Sequence, residues 1–138
     1  KDMNETKSVI EPWIKENWLE EGRNRTFIIE GKPDAVFIGM FGLKLGSKKY
    51  KNAEVWYKIH PDFWRQGYAT ESLRAVIEYG FETLKLHRIE AGCAVNNLGS
   101  IKVLEKAGMT REGRGRQTLP LKSGWSDHFA YAILETDV

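Results

Sequence analysis

Phe63-Trp64-Arg65-Gln66-Gly67-Tyr68-Ala69-Thr70 joins a strand-like run, Val55 to Ile59, to the longest amphipathic stretch of the chain, and its reading decides the fold. Pro61 stops the strand because it has no ladder donor. Gly67 permits a positive φ or a close backbone approach where the chain turns into the helix. A helix start of this kind presents unpaired backbone N–H groups and the positive end of the helix dipole, so a diphosphate can rest on Gln66 to Thr70 without a metal. One glycine between strand and helix also reads as plain turn punctuation. The sequence holds neither GxxxxGK[ST] nor GxGxxG, which excludes the commonest phosphate-binding loops.

Outward from this turn, Leu73, Val76, Ile77, Gly80, Phe81 and Leu84 form an i, i+3, i+4 stripe that predicts a helix ending near Lys85. Arg88 to Val95 reads as a strand. Asn97 is the expected N-cap of a second helix through Lys106, closed by Gly108. Upstream, Glu54 to Ile59 is a strand whose alternation puts Glu54, Trp56 and Lys58 on one face. A charged loop, Gly46 to Asn52, precedes it. Before that, Thr26 to Ile29 and Ala35 to Leu43 make a hairpin around a turn at Gly31 to Asp34. Ser8 with Glu11 resembles a capping box, and Ile10, Trp13, Ile14 and Trp18 predict a helix from Val9 to Glu21, with Pro12 tolerated in its first turn. The end is β-rich again: Met109 to Gly113, a polar loop through Ser123, then Trp125 to Leu134. Strand-helix-strand order argues for an α/β layer arrangement.

A length of 138 residues fits one domain, 1–138. The 21 Lys and Arg against 19 Asp and Glu leave a net charge of +2, so no nucleic-acid partner is expected from bulk charge. Two basic clusters are local, Lys48, Lys49 and Lys51 in one loop and Arg111, Arg114 and Arg116 in another, and each reads as a solvated loop or as an anion contact. The single cysteine, Cys93, excludes an intramolecular disulfide and fits a cytoplasmic location. It reads as a small buried residue rather than an acyl carrier. No apolar run approaches the ~20 residues of a membrane span, and no membrane partner is expected. The three histidines, His60, His87 and His128, lack metal-ligand spacing, so no metal is expected.

Four ordered blocks then carry a family resemblance: Phe63 to Leu73, Leu86 to Ala91, Asn97 to Met109, and Glu112-Gly113. They resemble the GCN5-related N-acetyltransferase (GNAT) superfamily, and within it the ribosomal-protein alanine acetyltransferases and their relatives, over roughly Thr26 to Leu134. The resemblance implies a mixed, mostly antiparallel central sheet flanked by helices. Acetyl-CoA would lie in the splay between two parallel central strands, Glu54 to Ile59 and Arg88 to Val95. The chain departs from the superfamily pattern in three ways. Trp64 replaces the usual Arg or Gln. Leu104 replaces the common tyrosine that protonates the departing thiolate. No strand is visible before Ser8, as a truncated N-terminus would explain.

The resemblance implies N-acetylation of a primary amine, on a small molecule or a protein N-terminus, by direct attack in a ternary complex of a monomer or homodimer. Glu54 is the expected general base, and it reads equally as an exposed strand-end carboxylate. A backbone N–H of the Trp56 to Ile59 strand, exposed by the splay, would bind the thioester oxygen, and Tyr57 and Ile59 are expected cofactor contacts. Arg65, Gln66, Gly67, Tyr68, Ala69 and Thr70 would hold the diphosphate. Asn97, Ser100 and Lys106 complete the cofactor contacts, with Ser100 the candidate donor to the leaving sulfur. Acceptor specificity is expected in the first helix and in the loops near Lys48 and Gln117. Two other readings stand beside this one: an acyl-CoA sensing module without turnover, and an RNA-associated protein suggested by Arg111, Arg114 and Arg116.

Overall fold

The computed structural model describes residues 24–31 and 36–138, and the backbone of Glu11–Ile14. Seven strands form one sheet: β1 (Glu11–Ile14), β2 (Asn24–Gly31), β3 (Val36–Leu45), β4 (Asn52–Ile59), β5 (Arg88–Ala94), β6 (Thr110–Leu121) and β7 (Gly124–Leu134), in the order β1-β2-β3-β4-β5-β7-β6. Every neighbouring pair is antiparallel except β4 and β5, which run parallel. A parallel pair needs a long crossover, and α1 (Tyr68–Glu82) supplies it. The second helix, α2 (Leu98–Lys106), connects β5 to β6. This is the mixed, mostly antiparallel sheet with flanking helices that the resemblance implies.

Side-chain alternation places the core on the helix side of the sheet. Ala53 and Val55 of β4, Ile89 and Ala91 of β5, and Tyr131 and Ile133 of β7 are buried together with Leu73, Val76 and Ile77 of α1 and Leu104 of α2. Glu54, Trp56 and Lys58 are exposed on the opposite face, as the period-two pattern requires. The helices are locked to each other by a backbone capture: Arg74 of α1 donates from Nη2 to the carbonyl of Lys106, 2.8 Å away, at the C-terminal end of α2.

Beyond shifts of one or two residues at strand ends, three elements differ from the sequence reading. Within the helix expected over Val9 to Glu21, Glu11–Ile14 forms a strand on β2, and the rest of that span lies outside the described residues. β1 is an edge strand, where Pro12 can sit without a donor, and four residues are too few to show a period. The polar loop expected after Gly113 is instead the continuation of β6 to Leu121. That strand is an edge too, mostly exposed and bulged between Arg111/Gly113 and Gly115/Leu119, so it has no apolar alternation to read. α1 ends at Glu82, three residues before the expected Lys85.

Candidate active site

Between β4 and α1 the chain makes a compact hook. Pro61–Phe63 is a single 3-10 turn, capped by His60, whose Nδ1 accepts from the Asp62 amide at 3.2 Å. Trp64 donates its indole N–H to the Ile59 carbonyl at 2.8 Å, and Gln66 donates Nε2 to the Asp62 carbonyl, also at 2.8 Å. Trp64 is thus spent on tying the hook to the end of β4. Arg65 and Gly67 both have positive φ, 61° and 85°. Gly67 is the N-cap of α1, and a Cβ placed on it would meet no atom within 4 Å. The space in front of this turn is open, and the backbone faces it. The first intrahelical bond runs from the Glu71 amide to the Gly67 carbonyl at 3.0 Å, which leaves the amides of Ala69 and Thr70 without an intrahelical acceptor. Gln66 to Thr70 therefore carry what an anionic group needs: amides at a dipole's positive end, and a glycine that lets the group come close.

The hook opens onto a gap in the sheet. β4 and β5 pair only at Asn52↔Arg88, Ala53↔Ile89 and Glu54↔Glu90, although both strands continue for several residues. At the two ends of the β3–β4 ladder, Gly46 N bonds Asn52 O and His60 N bonds Ile38 O, each at 2.8 Å. Antiparallel ladders alternate, so even-numbered residues of β4 direct their peptide groups at β3 and odd-numbered ones at β5. Beyond Glu54 the neighbour has moved away. Tyr57 and Ile59 consequently turn backbone N–H groups into the gap, and the Ile59 carbonyl there is taken by Trp64.

The start of α2 forms the far wall. Asn97 caps the helix, accepting from the Ser100 amide at 3.1 Å. The Ser100 hydroxyl is free of that capping bond and receives the Tyr57 hydroxyl, which donates across the gap at 3.4 Å. Tyr57 is stacked on Phe41, its register partner on β3, with ring centroids 4.9 Å apart and planes 16° from parallel. Burial pushes its phenol pKa up, partly offset by the Ser100 hydrogen bond, with a smaller upward contribution from Cys93. Cys93 sits on β5, half-buried, and burial raises its thiol pKa, so it is poorly disposed to act as a nucleophile. Leu104 is 1% exposed, packed in the core, and offers no hydroxyl to the gap.

Glu54 lies on the opposite face, at the last paired position before the strands part. Its lateral neighbour Glu90 is held by Arg88 Nε at 2.9 Å, and Arg88 grips Glu112 with both terminal nitrogens, at 2.6 and 3.0 Å. The guanidinium pulls the Glu112 carboxyl below its ordinary range. Trp56 lies on this face over Gly42 of β3 and is 43% exposed. Lys106 ends α2, exposed, next to the second turn of α1 through the Arg74 bond.

Other sequence candidates fall elsewhere. The Lys48 loop precedes β4, at the end away from the hook, about 25 Å along the strand. A cavity of about 580 Å³ lies beside it, lined by Arg25, Lys48, Lys51 and Lys85 among others. The loop therefore stands away from the hook but only two residues from Glu54, where the gap begins. Gln117 belongs to the β6 bulge, where its amide donates to Asp127 Oδ1 at 2.8 Å. Asp127 also holds Arg114 at 2.7 Å, so it braces the bulge. Arg111 stacks on Phe129 at 3.8 Å and pairs with Glu105, so two of the three arginines behind the RNA reading are engaged within the protein. His128 is bonded to Thr118 at 2.7 Å and His87 to Glu135 at 2.7 Å. Among the described residues no cluster could hold a metal, and no helix is long and apolar enough to cross a membrane.

Two site features lay outside the sequence reading: the Tyr57 hydroxyl and the Trp64 indole bond. The strand alternation was the available signal for Tyr57, since an odd position on β4 must point towards the helices.

Residues 1–110 match the family model described as an acetyltransferase (GNAT) domain. YnaD of Bacillus subtilis (strain 168), named as an uncharacterized N-acetyltransferase, is 40% identical over 84 residues, which are 61% of this chain and 49% of that protein. The uncharacterized N-acetyltransferase p20 of Bacillus licheniformis is 31% identical over 136 residues, 99% of this chain and 75% of that one. Among solved structures, a spermidine N-acetyltransferase from Vibrio cholerae, in complex with CoA and spermine, is similar in fold with a TM-score of 0.82 at 23% identity, over 88% of this chain and 71% of that chain. The chain spans about half the length of the first two curated relatives it matches, 49% and 51%. The parallel pair that parts after three residues, the amide-lined hook at its mouth and the family match over residues 1–110 establish that this chain belongs to the GNAT acetyltransferase family.

Proposed function

We propose that this chain transfers the acetyl group of acetyl-CoA to a primary amine, by direct attack of the amine within a ternary complex. The observation that carries the reading is the gap itself. It places two peptide N–H donors, Tyr57 and Ile59, beside an anion-accepting helix start, and these are the two features a CoA thioester needs. The diphosphate would rest on the backbone of Arg65 to Thr70, with Arg65 and Lys106 adding screened attraction from exposed positions. Pantetheine would run past Asn97 to bring the thioester under the β4 amides.

The two faces of the sheet divide the labour. Glu54 lies on the face opposite α2, so an amine arriving there meets its base on the attacking side, directly or through water. Ser100 lies on the helix side, towards which the sulfur departs. As the N–C bond forms and the C–S bond breaks, the amine gives up one proton and the sulfur gains one. The Tyr57 and Ile59 amides stabilise the oxyanion between these events. The acceptor is a small-molecule amine or a protein N-terminus. Spermine in the Vibrio neighbour favours testing polyamines first.

Release of free CoA thiol from acetyl-CoA, measured against a panel of polyamines, amino-terminal peptides and simple amines, with product mass raised by one acetyl group, tests the assignment. Tight acetyl-CoA binding by calorimetry with no acetylated product in any panel member would replace it by the sensing module.

A further inference from the structure

The common thiolate-protonating position of the superfamily is occupied by a core leucine, yet a phenol enters the same gap from the opposite wall. We propose that Tyr57 is a positioning residue for Ser100: by donating its hydroxyl proton to Ser100 Oγ, it turns the serine O–H towards the departing sulfur. The inference rests on the acetyl-transfer reading above.

A serine hydroxyl has one proton and two lone pairs, and at the start of a helix its proton is readily lost to a carbonyl one turn back. A donor to Oγ opposes that. It occupies a lone pair, and by polarising the hydroxyl it strengthens the bond that Ser100 can itself donate. Tyr57 is suited to be this donor on three grounds. Its ring is fixed by the Phe41 stack, so the phenol is delivered at a set place rather than swept through the gap. Its hydroxyl is bonded to Ser100 across 43 positions of sequence, linking β4 to α2. Burial keeps it protonated, so it remains a donor throughout the range in which amines are acetylated.

At 3.4 Å the contact is long for an O–H···O bond, as catalytic contacts often are before substrate closes on them. The same phenol belongs to the residue whose backbone N–H faces the gap, so one residue would hold the oxyanion with its main chain and steady the leaving-group donor with its side chain. Tyr57 ends the cycle unchanged. The new bond is N–C, the broken bond is C–S, and the proton released by the amine balances the one gained by sulfur.

Tyr57→Phe keeps the stacked ring and the backbone while removing the hydroxyl. We expect kcat to fall on the order of 10-fold, the scale of one hydrogen bond, with the KM for acetyl-CoA unchanged. In a Ser100→Ala background the same substitution should have no further effect, because the hydroxyl it positions is gone. An unchanged kcat in Tyr57→Phe, an undiminished loss in the Ser100→Ala background, or a raised KM at constant kcat would each overturn the proposal while leaving acetyl transfer standing. Wild-type protein that releases no CoA thiol with any acceptor overturns the acetyl-transfer reading as well, so the two failures are told apart by the wild-type assay alone.

Discussion

Replacing Gly67 tests the backbone contribution to the proposed CoA binding. The residue has φ 85° and ψ −8°, a left-handed conformation that costs a residue with a Cβ about 1–2 kcal/mol. No protein atom lies within 4 Å of where that Cβ would stand, so conformation rather than collision sets the cost to the free protein. For a chain of this size Gly67→Ala should lower Tm by about 3–10 °C. The effect on ligand is separate and larger. The Cβ projects into the open space before α1, and relaxation of the turn re-aims the amides that follow it. Losing one charge-assisted amide bond to a phosphate costs about 1.5–3 kcal/mol, or about 10-fold to 150-fold in Kd. Gly67→Val, bulkier and β-branched, should be at the upper end. Calorimetry with CoA, paired with thermal unfolding of the free variants, separates the two effects. Unchanged CoA affinity in a folded Gly67→Val protein would refute the cradle and reduce the glycine to turn punctuation.

Glu54→Gln should depress turnover by about 10²-fold to 10⁴-fold, most at low pH, where the acceptor most needs its proton removed; a pH-rate profile that superimposes on wild type removes Glu54 as base. Ser100→Ala should lower kcat with little change in acetyl-CoA affinity, since its proposed bond to sulfur would strengthen only as charge develops; parallel losses in both would make it a binding contact. Asp127 is held below its ordinary value of 3.8, first by the Gln117 amide and then by Arg114. Its contribution to stability is therefore present above that value and disappears as pH falls through the lower folded one. Asp127→Asn should be less stable than wild type at pH 7, with the difference closing on acidification; a pH-independent difference contradicts this. Trp64→Phe should remove the 2.8 Å bond to the Ile59 carbonyl and weaken CoA binding modestly by loosening the hook, measurable in the same titration.

The parts of the fold that could be read from sequence are those with a face to bury. The stripe Leu73, Val76, Ile77 and Gly80 specifies α1 because it must be buried against the sheet, where Gly80 faces Leu43 of β3 and Ile89 of β5, and the alternation around Val55 places Glu54, Trp56 and Lys58 outside. Asn97 could be read as a cap from its type and position alone, and the structure has it accepting from Ser100. The edges could not be read this way. β1 and β6 are held by ladder bonds to one neighbour, and neither carries a period-two apolar alternation, so a helical spacing and a polar loop were the natural readings. The Tyr57 to Ser100 contact was out of reach for a different reason: the residues are 43 positions apart, and their meeting depends on how far α2 leans over the gap.

Three paired residues join two otherwise self-contained antiparallel ribbons, β1 to β4 and β5 to β7. Along this seam the sheet has little cohesion of its own. Much of the joining falls to the core that the two helices share with both ribbons, with the Arg74 clasp beside it, and to whatever fills the slot. A CoA thioester lodged there would act as mortar, bonded to β4 through Tyr57 and Ile59 and to the second ribbon through α2. Occupancy should then be felt well beyond the atoms touched. Amides of β5 and β7 that never meet the ligand should exchange with solvent more slowly once it is bound, and the protein should unfold as one unit rather than parting first along the seam.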